Sequence, residues 1–358
     1  MTKEKQEHLI LQIKYAFLAL IVGICVGIVD TIFGRGLLAI SAFRTAHYQF
    51  LLPFLPLTGL LIIWLYQHFS SLSLKGMSLI FETGQKKREE IPLALVPLVI
   101  ICTWITHLFG GSAGREGVAV QIGATISHEA GRRLHIKEKT PVMLITGMAA
   151  GFGGLFQTPL AAVFFAMEVI VAGYMEYDAL LPALIAAYTA STTSHMLGLE
   201  KFAVNITENW NISGSRDVLI LIILGVVFGL TGRFFSALLQ KAKKLFGEKI
   251  LKLLFTIFTL AIGFQGGEVT PLFSIGASLG IILGSLLGIP PVICAALGYA
   301  AVFGSATNTL FAPILIGLEV FGSQNIIPLV LVCIIAYLVN GNRSIYGAQQ
   351  KALCRFEE

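Results

Sequence analysis

Charge is scarce in this chain. Lys, Arg, Asp and Glu make up 13% of its 358 residues, against about 25% in a typical soluble domain. That shortage excludes a water-facing surface of ordinary extent. With 56% hydrophobic residues, a mean hydropathy of +0.82 and long apolar stretches recurring from Tyr15 to Asn340, it leaves a polytopic, all-α integral membrane protein. Cysteine is sparse too. Cys25, Cys102, Cys294, Cys333 and Cys354 show no CxxC spacing, and they read as small core residues. His128 and His135 flank a basic loop without a neighbouring His, Cys or carboxylate cluster, so neither a metal nor another cofactor is expected. HExxH and paired-Asp motifs are also missing, which argues against an intramembrane enzyme.

What charge there is falls in clusters: Lys3 to Lys14, Lys86-Lys87-Arg88, Arg132 to Lys139 and Lys241 to Lys252. Basic loops between apolar spans face the cytoplasm, so these are topology signals and no nucleic-acid partner is expected. The first thirty residues lack a clean small-residue cleavage site and read as an anchored span that starts inside. Glycine, at 37 residues, suits close helix packing and interrupted helices.

Topology singles out one stretch. Tyr15 to Phe33 crosses outward, Leu51 to His68 returns, and Ile91 to Leu108 rises again. The next basic loop, Arg132 to Lys139, must lie inside, and only Gly110 to Ile126 is available for the descent. That segment is therefore a short re-entrant helix starting within the protein at GSAGREG. Glu116 stands at this start, where unpaired N–H groups and the positive end of the helix dipole favour an anion.

The same design occurs twice. Gly147 to Val169 aligns without gaps on Gly298 to Val320, sharing Gly147/Gly298, Ala149/Ala300, Ala150/Ala301, Phe152/Phe303, Gly153/Gly304, Thr158/Thr309, Glu168/Glu319 and Val169/Val320. Farther back, Ile122-Gly123-Ala124 matches Ile275-Gly276-Ala277 and lays GREGVAVQ against GEVTPLFS. Duplicated halves with Gly-broken segments at corresponding positions mark a transporter whose site lies at the repeat interface. The first repeat is taken as 1–200 and the second as 201–358.

These motifs resemble the CLC family of anion channels and proton-coupled anion exchangers over nearly the whole chain. GREGVAVQ is similar to the family's GREGP motif, with Glu116 at the gating-glutamate position and Val118 in place of proline. GGEVTP, Gly266 to Pro271, resembles the GxFxP motif. GMSLI, Gly76 to Ile80, falls where the family has a serine that contacts chloride, and Met77 takes its place. Tyr346 in GNRSIYG falls at the central tyrosine. The resemblance implies a CLC-type inverted repeat with re-entrant broken helices, and the departures resemble the bacterial fluoride/proton antiporter branch. Glu116 is then a movable gating and proton-transfer carboxylate, and the implied anion-binding residues are Gly114, Arg115, Gly117, Val118, Met77, Val269, Thr270 and Tyr346. Glu268 and Phe81 are secondary candidates. Fluoride, protons, the lipid bilayer and a second copy of the chain are the implied partners, in a bacterial inner membrane; a chloride/proton exchanger or anion channel is the alternative.

The remaining charged groups have structural readings. Glu168 and Glu319 are expected to make structural hydrogen bonds, since the family's proton-transporting acid falls at Val169. Arg115 has a structural reading as well, paired with Glu82. The halves also differ in length: 95 residues separate Tyr15 from Gly110, and 48 separate Val218 from Gly266. A segment of about fifty residues, the difference of those counts, is expected to be missing between Phe246 and Leu253. No cytosolic regulatory domain is expected after Tyr346.

Overall fold

The computed structural model describes residues 3–111, 114–134, 140–247 and 269–352. Helix α1 (Lys3–Leu51) is followed by α2 (Leu55–Phe69), α3 (Met77–Gly84), α4 (Leu95–Leu108), α5 (Glu116–Arg133), α6 (Thr140–Phe156), α7 (Pro159–Val169) and α8 (Leu180–Met196). The second half contributes α9 (Ser215–Gly247), α10 (Val269–Leu287), α11 (Pro291–Thr307), α12 (Phe311–Phe321) and α13 (Ile326–Asn340). A two-residue strand β1 (Val171–Ala172) pairs in parallel with β2 (Gln350–Lys351), tying the chain's last described residues to the loop after α7.

Ile13–Phe69, Ser215–Ala242 and Val269–Leu287 are long and apolar enough to cross a membrane, and shorter apolar helices pack between them. Many exposed side chains on these helices are large and apolar, including Phe17, Ile32, Phe234 and Leu286, as a lipid-facing surface requires. The first span exceeds its expected range: α1 continues beyond Phe33 to Leu51, with non-helical backbone at His47. No proline stands between Gly34 and Tyr48, so the chain passes on without a loop, turning only at the kink at His47. Cys25 is exposed on α1, against its reading as a core residue, whereas Cys102, Cys294 and Cys333 are buried.

The repeat is visible as matched packing. Helix α5 lies against α6 as α10 lies against α11, and glycines set the distance in both cases. A methyl on Gly123 would fall 2.0 Å from the Gly147 carbonyl oxygen, and one on Gly276 would fall 2.1 Å from that of Gly298. Backbones touch there, so any side chain would force the helices apart. The outer seams match as well. Gly23 and Gly27 of α1 meet Ala186 and Ala190 of α8, while Gly225 and Gly229 of α9 meet Ile335 and Ala336 of α13.

Between the halves the aligned glutamates exchange partners. The Glu168 carboxylate accepts hydrogen bonds from the N–H groups of Leu310, Phe311 and Ala312 at the start of α12, the shortest 2.8 Å. Glu319 accepts from Leu160 and Ala161 at the start of α7, at 3.2 and 2.8 Å. Each half caps a helix of the other, which meets the demand of orphan N–H groups in a water-poor interior. The breaks before those helices also correspond. Gln157 and Asn308 take left-handed backbone at φ +55° and +58°, ending α6 and α11 so that the chain can turn into the next helix.

Candidate functional site

Two broken helix starts converge on one carboxyl group. Glu116 is the first residue of α5 and is 2% exposed. Its oxygens accept a hydrogen bond from the N–H of Arg115 at 3.0 Å, from the N–H of Thr270 at 3.2 Å and from the hydroxyl of Thr270 at 2.6 Å. Thr270 is the second residue of α10, so its N–H belongs to the first turn, which has no acceptor within its own helix. A negative group at this point therefore receives donors from both halves and the positive ends of two helix dipoles. The expected pairing of GREGVAVQ with GEVTPLFS becomes a direct contact here.

The other sequence-derived residues fall into two sets. Met77, at the first position of α3 and half-buried, belongs with Phe81, Val269 and Tyr346 to one apolar cluster. The rings of Phe81 and Tyr346 stand 5.1 Å apart. Phe81 and Val269 are fully enclosed, at 0% and 1%. Val118 belongs to a separate cluster with Phe33 and Leu37 of α1, Val99 of α4 and Leu155 of α6. Its side chain packs the back of the α5 start. Gly114 and Gly117 are buried and contribute backbone.

Arg115 is not paired with Glu82. That glutamate binds Lys75 at 2.9 Å and also Arg88, which holds its carboxyl below the ordinary carboxylate range, chiefly through the hydrogen bond from Lys75. The Arg115 guanidinium lies 5.1 Å above the Phe156 ring, an arrangement that shelters a cation on an aromatic face. Spacing along a sequence cannot reveal such a partner, because α6 reaches Arg115 only through tertiary packing. Glu268 and the proposed shortfall between Phe246 and Leu253 lie largely or wholly outside the described residues, as do His135 and Cys354. Among the described residues no cluster of three or more His, Cys, Asp or Glu could hold a metal.

Two features escaped sequence reasoning. Asp30 sits in the first apolar span with 0% exposure, and an acid inside such a run is the signal that would have found it. The C-terminal segment is held by amides: Asn308 Nδ2 donates to Asn342 Oδ1 at 2.7 Å, Asn340 Nδ2 to the Arg343 carbonyl at 2.7 Å, and Gln349 Nε2 to the Val169 and Thr307 carbonyls at 2.9 and 3.0 Å. This network brackets Tyr346 and fixes the segment that carries it.

Comparison with known proteins bears on this arrangement. The sequence profile described as voltage-gated chloride channel matches residues 58–251 and 245–341. The chain is 32% identical to a protein of Pseudomonas syringae pv. tomato named chloride/fluoride channel protein, over 94% of this chain and 86% of that one. That alignment spans 393 positions, more than the 358 residues available, so gaps open on this chain's side. Among solved structures, a CLC-type fluoride/proton antiporter superimposes with a TM-score of 0.89 at 42% identity, covering 98% of this chain and all of that one. A slow cyanobacterial Cl⁻/H⁺ antiporter shares the fold with a TM-score of 0.76 at 19% identity, over 93% of this chain and 96% of that one.

Proposed function

Because the chain belongs to the CLC family of voltage-gated chloride channels, a family of transporters and not of enzymes, we propose that it exports fluoride in exchange for protons across a bacterial inner membrane, with Glu116 as the moving and proton-carrying group. The observation that carries this reading is the capture of the Glu116 carboxyl by Thr270 at the meeting of two helix starts. A carboxylate held there occupies the place an anion would take. An anion and an ionised Glu116 repel each other at such a distance, so entry of the ion favours a protonated glutamate that leaves. One side chain thereby links anion movement to proton movement.

Three further observations support fluoride as the anion. Met77 stands at the start of α3 and offers a soft thioether in place of a hydroxyl donor, which disfavours a chloride-type arrangement. The 42%-identical structure is a fluoride/proton antiporter, and the Pseudomonas relative is named for chloride and fluoride. Hydrogen fluoride is a weak acid that enters cells from acidic surroundings, and export driven by entering protons would oppose that flow. A homodimer is the assembly that family membership leads us to expect.

The second half is further proposed to lack about fifty residues between Phe246 and Leu253, by comparison with the first. The two profile matches overlap at residues 245–251, which supports a shortfall at that point.

The decisive experiment follows fluoride and proton fluxes from proteoliposomes carrying Glu116→Gln. Proton flux is expected to disappear, because the amide cannot carry the proton. Both fluxes continuing at the normal ratio would remove Glu116 from the mechanism. In the unaltered protein, chloride efflux exceeding fluoride efflux would instead establish the chloride-exchanger reading.

A further inference from the structure

The packing of α1 contains a group that the exchange mechanism does not use. Asp30 is fully enclosed, at 0% exposure, and among the described residues neither carboxyl oxygen has a hydrogen-bond partner. It lies in the seam between α1, α6 and α8: a methyl on Gly154 would stand 2.5 Å from Asp30 Oδ2 and 3.3 Å from the Ala190 side chain. The neighbouring hydroxyls are engaged elsewhere. Ser194 donates to the Gly154 carbonyl at 2.6 Å, and Thr31 to the Gly27 carbonyl at 2.7 Å.

The repeat shows that this acid is not an architectural requirement. Gly27 and Gly229 hold equivalent places at the α1–α8 and α9–α13 seams, and three residues farther on stand Asp30 and Gly232. Opposite them the aligned positions are Gly154 and Ser305. In the second half a methyl on Gly232 would meet Ser305 Oγ at 2.6 Å, and that hydroxyl is satisfied by the Gly229 carbonyl at 2.8 Å. One seam is closed by a satisfied neutral pair, the other by an unsatisfied acid.

Among the described residues no charged group stands opposite to balance it. Helix α6 carries no titratable residue. On α8, Tyr188 and His195 are both exposed. On α1 itself, Arg35 donates to the Leu197 carbonyl at 3.0 Å. Of the other helices packed on α1, α4 carries Cys102, buried beside Tyr66 and Leu98, and His107, whose Nδ1 is 2.9 Å from the Thr103 carbonyl. Helix α5 carries Glu116, held by Thr270, and at its far end His128, Glu129, Arg132 and Arg133. An ionised carboxylate without donor or counter-ion is strongly disfavoured in such a seam, so the closed packing requires the neutral acid.

We propose that Asp30 is a second proton-binding site, separate from Glu116, which must be protonated for α1, α6 and α8 to close and which gives up its proton when the seam opens to water. With the Arg132 to Lys139 loop inside, as its basic charge implies, the seam lies toward the outer ends of α6 and α8, so the proton comes from outside. Phe33, one turn beyond Asp30, packs with Val118 and Ala119 behind the first turn of α5. The Trp104 indole N–H donates to the Phe33 carbonyl at 3.1 Å, which ties α4 to the same point. Closure of the seam thus supports the helix start that carries Glu116, and external acid sets how many molecules are closed.

The inference rests on the exchange reading for its effect on flux, and a readout independent of transport separates the two. In a background with Trp64 and Trp210 replaced by Phe, emission from Trp104 is followed as pH is varied. The parent protein is expected to show a titration that Asp30→Asn lacks. In proteoliposomes, fluoride flux through the parent should fall by up to about tenfold per unit rise in external pH on the alkaline side of the titration, the limit for one group. Asp30→Asn should hold the same fluoride-to-proton ratio with a flattened external profile. Asp30→Ser provides the same test if the amide variant does not fold. A Trp104 titration and external profile unchanged in a folded variant would overturn the proposal. Loss of the titration in a protein that moves no fluoride would uphold the proton site while defeating the exchange reading.

Discussion

Three glutamate carboxylates, those of the buried Glu116 and Glu168 and the half-buried Glu319, meet helix starts, yet they are held in different ways. Glu168 and Glu319 each reach across to the other half and meet consecutive backbone N–H groups of a helix that is itself fixed by packing. Glu116 is held chiefly by one residue of the opposite half, Thr270, and by the N–H of its own neighbour. A carboxylate gripped by several backbone donors is structure. The cross-half bonds of Glu116 among the described residues all come from one residue, and the gating role proposed for it rests on that difference.

Substitutions should expose that contrast. Glu116→Gln is expected to reduce proton flux by roughly a hundredfold or more, the range set by loss of a positioned proton carrier, while thermal stability stays close to that of the parent. Glu168→Gln should do the reverse. With three N–H groups deprived of a charged acceptor, stability should fall by about 2–3 kcal/mol, read as a lower unfolding midpoint in detergent, and the fluoride-to-proton ratio should hold. A changed ratio would mean that Glu168 also carries protons.

Thr270→Val keeps the shape of the side chain and removes its hydroxyl, so only the backbone bond across the halves survives. Loss of that bond, worth about 1.5–3 kcal/mol when made to a charged group, should release Glu116 more readily and weaken block by the glutamate. Flux measured against pH would shift accordingly, and an unaltered profile would show that the hydroxyl contact has no part in gating.

The smallest effect is expected at Glu129, toward the C-terminal end of α5. Hydrogen bonds from Arg132 and Arg133 hold its carboxyl down at about 2. Because its folded value lies below the ordinary one, its contribution is present above about pH 4.5 and is lost as pH falls toward 2. Both arginine side chains are well exposed, so Glu129→Gln should cost under about 1 kcal/mol at neutral pH, with the deficit vanishing in acid-unfolding curves near pH 2.

Local chemistry made the helix breaks legible. Gly-rich turns, basic loops and the duplicated block led from residue types to α5, α6, α7 and their counterparts, because each rests on a short stretch of backbone preference or on periodic apolar content. The place of Glu116 at a helix start was legible for the same reason, because a charge inside a membrane-spanning run stands out. What stayed hidden depends on distant contacts. The aromatic shelter of Arg115 comes from α6, the pairing of Glu82 with Lys75 and Arg88 depends on how loops fold back, and the side chain of Val118 turned out to pack toward α1. The reach of α1 to Leu51 was missed because hydropathy marks where a lipid-spanning run can begin and end, while helix propensity decides where the helix does.

The crossed caps also impose an order on manufacture. Glu168 leaves the ribosome 142 residues before Leu310, the first of its partners. At about 5–20 residues per second, the first half waits on the order of ten seconds with that carboxylate unanswered and with the start of its own α7 still uncapped. During that interval the half-built protein is an open form held at the insertion machinery, and it becomes a sealed unit only when α12 arrives.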